Sequence, residues 1–358
     1  MAIGVDMTID GRFVPGRGRL PGTAPLPADW TFWADTIIGA VPLGPVQPTA
    51  FSCTSPLSDF GKGEVTLPVV SSALDQARLL RLWSWRLWVF YDGFPYFCGA
   101  PSGIQDVGAA TATLTLTELP GYLIKRQWDY GPPNRRFTQV EQVAIAAELA
   151  APVADVGVNI ATSAGPGFLR DREYEYLESD HRGQLLVNLS QVISGPQFRA
   201  EYTMVAGRPR CTLRIGYPRV GGQTGLGLVV PGNIHEYAAS WDADELRTRT
   251  FAVGELPETA PEGTAVPVAV EDRPQPDLPR LDEADDWPST FLTSTLRERA
   301  ATAATQHAEP VLELTGTAGV SDPPVTSYGP GDDVAVRLVT PLLPGGLELA
   351  GTLQQVEV

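Results

Sequence analysis

The sequence predicts a mainly β protein with an α+β segment in its middle. Glycine and proline are abundant, with 36 and 33 of the 358 residues, which is typical of short strands joined by turns. Strand-like alternation of polar and apolar residues recurs towards both ends of the chain, and two helical patterns lie between residues 138 and 193. At roughly 150 residues per domain, the length indicates two or three domains.

The clearest strand signal is RLWSWRLWVFYDGFPYFCG at residues 81–99. Alternate residues of a strand face opposite sides, so both faces of 85–91 carry large apolar groups and both should be covered. Asp92-Gly93 follows, a pair typical of two-residue hairpin turns. We therefore predict a hairpin in a β core with apolar surface that a partner could cover. Its core or interface candidates are Trp85, Trp88, Phe90, Tyr91, Phe94 and Phe97.

The other elements of the first 130 residues follow from the same rules. Residues 30–41 form a mixed apolar run, interpreted as a short strand or docking arm among loops. Residues 63–70 predict a strand broken at Pro68, and residues 71–82 have helical spacing. Alternating threonine and leucine at 111–119 predicts a strand with Leu114 and Leu116 on its apolar face.

A Gly-Pro-Pro-Asn breaker indicates a domain boundary near residue 131. Thr138 and Glu141 match a capping box, which predicts a helix ending near Ala151. A short strand at 156–160, a second helix at 183–193 and a strand pair at 198–204 and 210–215 follow, with the turn of this pair at 207–209. The middle of the chain is therefore predicted to be α+β.

The last third is predicted to be β-rich, with one helix. Strands are expected within 221–232, 238–250, 311–315, 334–339 and 346–358. Residues 255–279 are rich in proline and acid, which favours a loop or linker-like insertion. Acidic residues at 282–286 precede a predicted helix near 289–305, and acids near a helix start favour the helix dipole.

Charge and hydropathy exclude several classes of function. The net charge of −16 and the pI of about 4.6 oppose binding to phosphate backbones, so we expect no nucleic-acid interface. No apolar run approaches the roughly 20 residues of a membrane-spanning helix. The N-terminus lacks a basic segment followed by an apolar one, so we expect no signal peptide and synthesis in the cytoplasm.

The sequence contains no enzyme motif, so we expect no catalytic site, no cofactor and no metal. Cys53, Cys98 and Cys211 lie far apart, and we interpret them as buried small apolar residues. The three histidines, at 181, 235 and 307, have no metal-ligand spacing. The partial glycine motifs at 16–18 and 225–227 lack the strand and helix that a dinucleotide site requires.

The order of these pieces resembles the tail hub and minor tail proteins of bacteriophages, specifically siphoviruses of actinobacterial type. In those proteins a D-G-x-P-x-F-x-G hairpin is followed by a strand and a Y-L-x-x-R pattern, and residues 89–99 and 122–126 match these two patterns. Segments 176–202, 236–254, 328–338 and 347–358 resemble the middle domain and the second barrel of those proteins. The resemblance implies two small β-barrel hub domains flanking an α+β insert. The domains would be 1–130 with an N-terminal arm, 131–216, and 217–358 with a loop at 255–286 and a helix near 289–305.

This resemblance implies a structural role at the virion tail tip, after synthesis in the host cytoplasm. A homotrimeric hub ring would join the tail tube or distal tail protein to the tip and receptor-binding apparatus and let DNA pass. Its partners would include the tape measure and fibre proteins, with no sequence-specific nucleic acid and no membrane span.

Two alternatives to the hub remain open. The first is a cell-wall glycan hydrolase, because Glu173, Glu175 and Glu178 lie close together in the sequence beside His181. The second is a carbohydrate-binding adhesin, in which Trp30, Trp33, Trp85 and Trp88 would serve as platforms for sugars.

Overall fold

The structure, a computed structural model, divides the chain into two compact units. Unit 1 comprises Met1–Ile9, Phe13–Tyr237 and Thr315–Val358, and unit 2 comprises Asp10–Arg12 and Ala238–Leu314. The structure describes residues 4–9, 29–68, 81–106, 111–128, 134–164, 169–175, 180–192, 194–256, 260–261, 263–287, 290–309, 311–319, 323–341 and 344–358.

Within the described part of the first 128 residues, eight strands precede the middle segment, as the sequence predicts for a β-rich region. They are β1 (Gly4–Ile9), β2 (Trp30–Thr36), β3 (Pro42–Val46), β4 (Ala50–Pro56), β5 (Lys62–Pro68), β6 (Trp85–Tyr91), β7 (Phe94–Asp106) and β8 (Thr111–Glu118). The run at 30–41 therefore opens a hairpin of β2 and β3. On β8, Leu114 and Leu116 are buried while Thr115 is exposed, which confirms the predicted apolar face. The helix predicted at 71–82 lies almost wholly outside the described residues.

The middle segment is α+β, as predicted. Its elements are a 3-10 helix (Leu119–Lys125), β9 (Arg135–Glu141), α1 (Gln142–Ala150), a second 3-10 helix (Ala151–Val156), β10 (Asn159–Ala164), β11 (Leu169–Tyr174), α2 (Arg182–Ser190), β12 (Gln197–Val205) and β13 (Arg208–Tyr217). Strands β10, β13 and β12 form one sheet, and β9 pairs with β11.

Two local predictions in this segment are wrong. Thr138 and Glu141 form no capping box, because both lie in β9, and the helix begins only at Gln142 with no side-chain cap. The turn between β12 and β13 lies at Ala206-Gly207 rather than at 207–209. Both turn residues have positive φ angles, of 50° and 73°, which suits a tight two-residue hairpin.

The last segment contains β14 (Gln223–Val230), β15 (Ile234–Asp242), β16 (Arg249–Val253), β17 (Val268–Asp272), β18 (Asp282–Asp286), α3 (Thr293–Gln306), β19 (Val311–Gly319), a 3-10 helix (Val325–Ser327), β20 (Asp333–Leu338) and β21 (Leu347–Glu357).

Two predictions for the last segment need correction. Residues 255–279 are not merely a loop, because β17 pairs along the whole of β16. The helix predicted near 289–305 is present as α3, which begins at Thr293. The acidic residues 282–286 lie outside its first turn, because they form β18, which is parallel to β16.

Thirteen of the described strands form one large sheet. Its order is β15-β19-β1-β21-β4-β5-β8-β7-β6-β2-β3, with β20 paired to β21 and β14 paired to β20. Within the described ranges these pairings do not close into a barrel, so the two predicted barrels are not confirmed. The edge strand β3 carries Pro42 and Pro45, and a proline cannot donate a ladder hydrogen bond to a further strand.

Unit 1 contains residues 131–216 together with the first eight strands. The predicted boundary at 131 falls outside the described residues, and the three-domain division stays a prediction. Unit 2 is a smaller body, in which α3 packs on the β17-β16-β18 sheet through Ala252, Ala269, Leu296 and Ala300. Among the described residues, no helix has the length and apolar character needed to cross a membrane.

Candidate functional site: the tryptophan-rich hairpin and its polar anchors

The tryptophan-rich hairpin is the pair of strands β6 and β7, which lies between β8 and β2 in the large sheet. Its turn is Asp92-Gly93, with φ angles of 48° and 77°, so the predicted two-residue turn is confirmed. The six predicted core or interface residues divide into three groups. Trp85, Trp88, Tyr91 and Phe97 are buried, Phe90 is half-buried, and Phe94 beside the turn is 59% exposed.

On one face of the hairpin, aromatic rings from four strands pack together. The Trp30 ring lies 4.9 Å from the Tyr91 ring and 5.6 Å from the Tyr96 ring. Phe51 on β4 lies 6.2 Å from Phe97. Such tilted and edge-to-face pairs suit the charge distribution of aromatic rings. The cluster therefore joins β2, β4, β6 and β7 through side chains as well as through the sheet.

The other face of the hairpin is covered by the middle segment of the same chain. Trp88 and Cys98 share a core cluster with Phe198, Cys211 and Leu213, among others. The Trp88 ring also lies edge-on to the Tyr202 ring at 6.5 Å. The periodicity of the sequence predicts that both faces are covered. It does not identify the covering strands, because β12 and β13 lie about a hundred residues further along the chain.

A buried ion pair anchors this second face. The Arg86 Nε donates to Asp35 Oδ1 at 2.6 Å, and its Nη1 donates to the carbonyl oxygen of Val156 at 3.3 Å. The guanidinium carbon lies 5.3 Å from the centre of the Trp88 ring. Burial tends to lower the pKa of Arg86, but the hydrogen bond and the charge of Asp35 outweigh it and the pKa is raised. Arg86 therefore stays charged, and its hydrogen bonds fix the middle segment to β2 and β6.

A second polar anchor is Glu118 at the end of β8, which is 3% exposed. Its Oε2 accepts a hydrogen bond from the Gly61 amide at 2.9 Å, and its Oε1 accepts from the Tyr202 hydroxyl at 2.7 Å and from Ser55 at 3.3 Å. Burial raises the pKa of Glu118, and these hydrogen bonds only partly oppose that shift. The carboxyl group thus connects β4, β8 and β12.

A third anchor, the Arg199 cluster, has no signal in the sequence. The Arg199 Nη1 donates to the carbonyl oxygen of Pro330 at 2.7 Å and to Asp332 Oδ1 at 3.0 Å, while its Nη2 donates to Glu201 at 2.8 Å. Asp332 also accepts a hydrogen bond from the Gly222 amide. Only the tertiary structure brings these positions together, because Arg199 and Asp332 are 133 residues apart.

Of the three glutamates of the hydrolase alternative, the two that the structure describes form no enclosed pair. Glu173 and Glu175 are both exposed, and Glu173 accepts a hydrogen bond from Asn134 at 3.2 Å. Glu178 lies outside the described residues. His181 is exposed at the start of α2. The described part of this segment therefore presents a solvated strand rather than a cleft that could exclude water.

The tryptophans of the adhesin alternative are mostly committed to the core. Trp30, Trp85 and Trp88 are buried, and Trp33 keeps 38% of its surface exposed. A sugar platform requires an accessible ring face, so Trp33 alone of these four could serve as one.

The cysteines and histidines were the residues considered for metal binding. The three cysteines are buried free thiols, which confirms their predicted role, and burial raises the pKa of each thiol. Among the described residues, no three histidine, cysteine, aspartate or glutamate side chains are placed to hold a metal ion.

Comparisons with known proteins find relatives only at the level of structure. No protein-family model matches the chain, and no curated protein matches its sequence. The 43 kDa tail protein of prophage MuSo2 from Shewanella oneidensis superposes with a TM-score of 0.60 at 11% identity, covering 92% of this chain and 98% of that one.

Two further solved structures have the same coverage of this chain. A tail protein from Neisseria meningitidis MC58 superposes with a TM-score of 0.56 at 15% identity, over 92% of this chain and 95% of that protein. Prophage tail protein gp18 from Listeria monocytogenes superposes with a TM-score of 0.55 at 10% identity, over 92% and 90% of the two chains. The chain therefore has the fold of phage tail proteins, and the resemblance found in the sequence is confirmed at the level of the fold.

Proposed function

We propose that this chain is a structural component of a phage tail tip. It would form a hub ring that connects the tail tube or distal tail protein to the tip and receptor-binding apparatus and lets DNA pass. The observation that carries the proposal is the extent of the structural likeness. A likeness over 92% of this chain and 98% of the Shewanella tail protein involves the whole architecture rather than one common motif.

The chemistry of the described residues supports a structural role. The aromatic rings of the hairpin, the Arg86–Asp35 pair and the Glu118 hydrogen bonds all serve to hold segments of the chain together. Three copies, each contributing two β regions, would give a ring with pseudo-sixfold symmetry, and closed rings of this kind are common among homo-oligomers. Such a ring could match a hexameric tube above it. The distal tail, tape measure and fibre proteins would be its partners.

The net charge of −16 is compatible with DNA passage. Acidic surface repels phosphate groups, so a passing duplex would not adhere to the ring. The proposal therefore includes no sequence-specific contact with nucleic acid.

Quantitative mass spectrometry of purified virus particles from the same source tests this proposal. We expect a copy number of about three per particle, as a trimeric ring requires, measured against the major tail protein. Absence of the chain from particles would contradict a virion role. A copy number equal to that of the major tail protein would place the chain in the tube and contradict the hub.

A further inference from the structure

The small sheet of unit 2 has one covered face and one open face. Strand β16 is central, and in register Phe251 pairs with Val270 on β17 and with Ala284 on β18. Helix α3 packs against the opposite face, which carries Ala252 and Ala269. We call the open side the outer sheet face. Its residues are Arg249, Phe251, Val253, Val268, Val270, Asp272, Asp282, Ala284 and Asp286.

The centre of the outer sheet face is apolar and accessible. Val268 and Val270 keep 43% and 44% of their surface exposed, and Val266 just before β17 keeps 45%. When one face of a sheet packs on a core and the other faces solvent, the residues of the solvent face are usually polar. Exposed valines at alternate positions along β17 depart from that pattern, and contiguous exposed apolar surface is typical of interaction sites.

The rim of the outer sheet face is acidic. Asp272, Asp282 and Asp286 occupy the ends of β17 and β18. Arg280 pairs with Asp282 at 2.8 Å, and Arg249 lies over the Phe251 ring at 4.6 Å. The surrounding segment has the same sign of charge. Residues 238–314 contain sixteen acidic and six basic residues, a net charge of −10 out of −16 for the whole chain.

This concentration of charge indicates the kind of partner. A second copy of the chain would bring an equally acidic segment, and like charges across an interface oppose association. A basic surface would instead be attracted by the field of the whole segment. We propose that the outer sheet face docks a different protein, one that presents aliphatic side chains surrounded by lysine and arginine. The valines supply the contact that excludes water, and the acidic rim orients the partner. The inference does not depend on the tail-tip role.

The lysine content of the chain makes a direct test possible. The chain contains two lysines, Lys62 and Lys125, and neither lies in the segment 238–314. A carbodiimide joins carboxylates to lysine amines with no added spacer. Cells that make the full chain from its native gene are treated with carbodiimide, and the linked peptides are mapped by mass spectrometry. We expect Asp272, Asp282 or Asp286 linked to lysines of one other protein.

Substitutions test whether the cross-links depend on the outer sheet face. The double variant Val268→Ser and Val270→Ser should lower their yield about tenfold or more, as for the loss of an interface centre. Val229→Ser is the matched control, because Val229 is a strand valine of similar exposure, 37%, in unit 1. It should leave the yield unchanged. Circular dichroism of the purified variants establishes that each is folded.

Three outcomes would overturn the inference. Links that end only at Lys62 or Lys125 would mean that the face meets this chain or a second copy of it. No links from the rim, or a yield that the double valine variant does not change, would mean that the outer sheet face docks no partner protein.

Discussion

Trp88 is a fully enclosed ring where the large sheet meets the middle segment. It is 1% exposed and lies against Tyr202 and the Arg86 guanidinium. Trp88→Ala would leave a cavity that these neighbours cannot fill, so we expect a loss of about 3–5 kcal/mol in the free energy of unfolding. Denaturant titration measures this loss.

Trp33 provides the control for that substitution. It lies opposite Trp88 in register on β2 but keeps 38% of its surface exposed. Trp33→Ala should therefore cost clearly less, about 1 kcal/mol, in line with a partly exposed site. Equal midpoint shifts for the two variants would contradict the assignment of Trp88 to the core.

Glu118 should make stability depend on pH. Burial raises the pKa of Glu118 in the folded chain. In the unfolded chain the group should release its proton at the ordinary glutamate pKa of about 4.3. Just above that pH, the folded chain therefore keeps a proton that the unfolded chain has lost. By linkage, the stability that this group contributes is complete below that pH and is lost as pH rises through the raised pKa.

The comparison of wild type with Glu118→Gln isolates this effect, because glutamine does not titrate. We expect the difference in unfolding free energy, wild type minus variant, to fall as pH rises from about 4. Denaturant titrations across a pH series measure it. A difference that grew with pH would mean that the hydrogen bonds from Tyr202 and Gly61 outweigh burial.

At the scale of the element, the hairpin turn depends on a glycine. Gly93 has a φ of 77°, and an added Cβ would meet no atom within 4 Å. Gly93→Ala therefore tests backbone conformation without steric collision. We expect a loss of about 1–2 kcal/mol, the cost of a left-handed conformation in a residue with a side chain.

Gly227→Ala is the matched control for the turn. Gly227 lies in β14, its Cβ position is also open, and its φ is not in the left-handed region. The same substitution should there be close to neutral in denaturant titration. A comparable loss at both positions would show that the turn conformation is not the cause.

At the scale of the whole molecule, the last strand connects distant parts of the chain. β21 pairs with β1, β4 and β20. The first and last described strands thus lie side by side, and residues 54–56 pair with 355–357. Through this connection, the β regions at both ends of the sequence share one sheet.

Deleting residues 258–279 tests whether the proline- and acid-rich segment is structural. The deletion removes β17, the antiparallel partner of β16, and Ala269, which packs against α3. We expect the amides of Arg249–Val253 to lose protection in hydrogen exchange, while residues 87–89 of unit 1 stay protected.

A smaller deletion provides the control for that experiment. Residues 263–265 are exposed and outside any strand, so their removal should preserve the protection of β16. Full protection of β16 in the larger deletion would mean that β17 is dispensable.

The sequence by itself determined the features that depend on neighbouring residues. Alternation predicted the strands, and Asp92-Gly93 predicted the turn of the hairpin, because strand period and turn chemistry act over a few residues. The mainly β composition with an α+β middle segment also followed. The order of the pieces was enough to predict the fold of phage tail proteins.

The tertiary structure alone decided what depends on distant residues. Thr138 and Glu141 carry a capping-box pattern, yet pairing with β11 draws them into a strand. Residues 282–286 carry acids suited to a helix start, yet they lie beside β16. In both places backbone pairing over a long sequence separation outweighs a local preference of about 1 kcal/mol. The Arg199–Asp332 pair has the same origin, since only folding brings those two residues within hydrogen-bond distance.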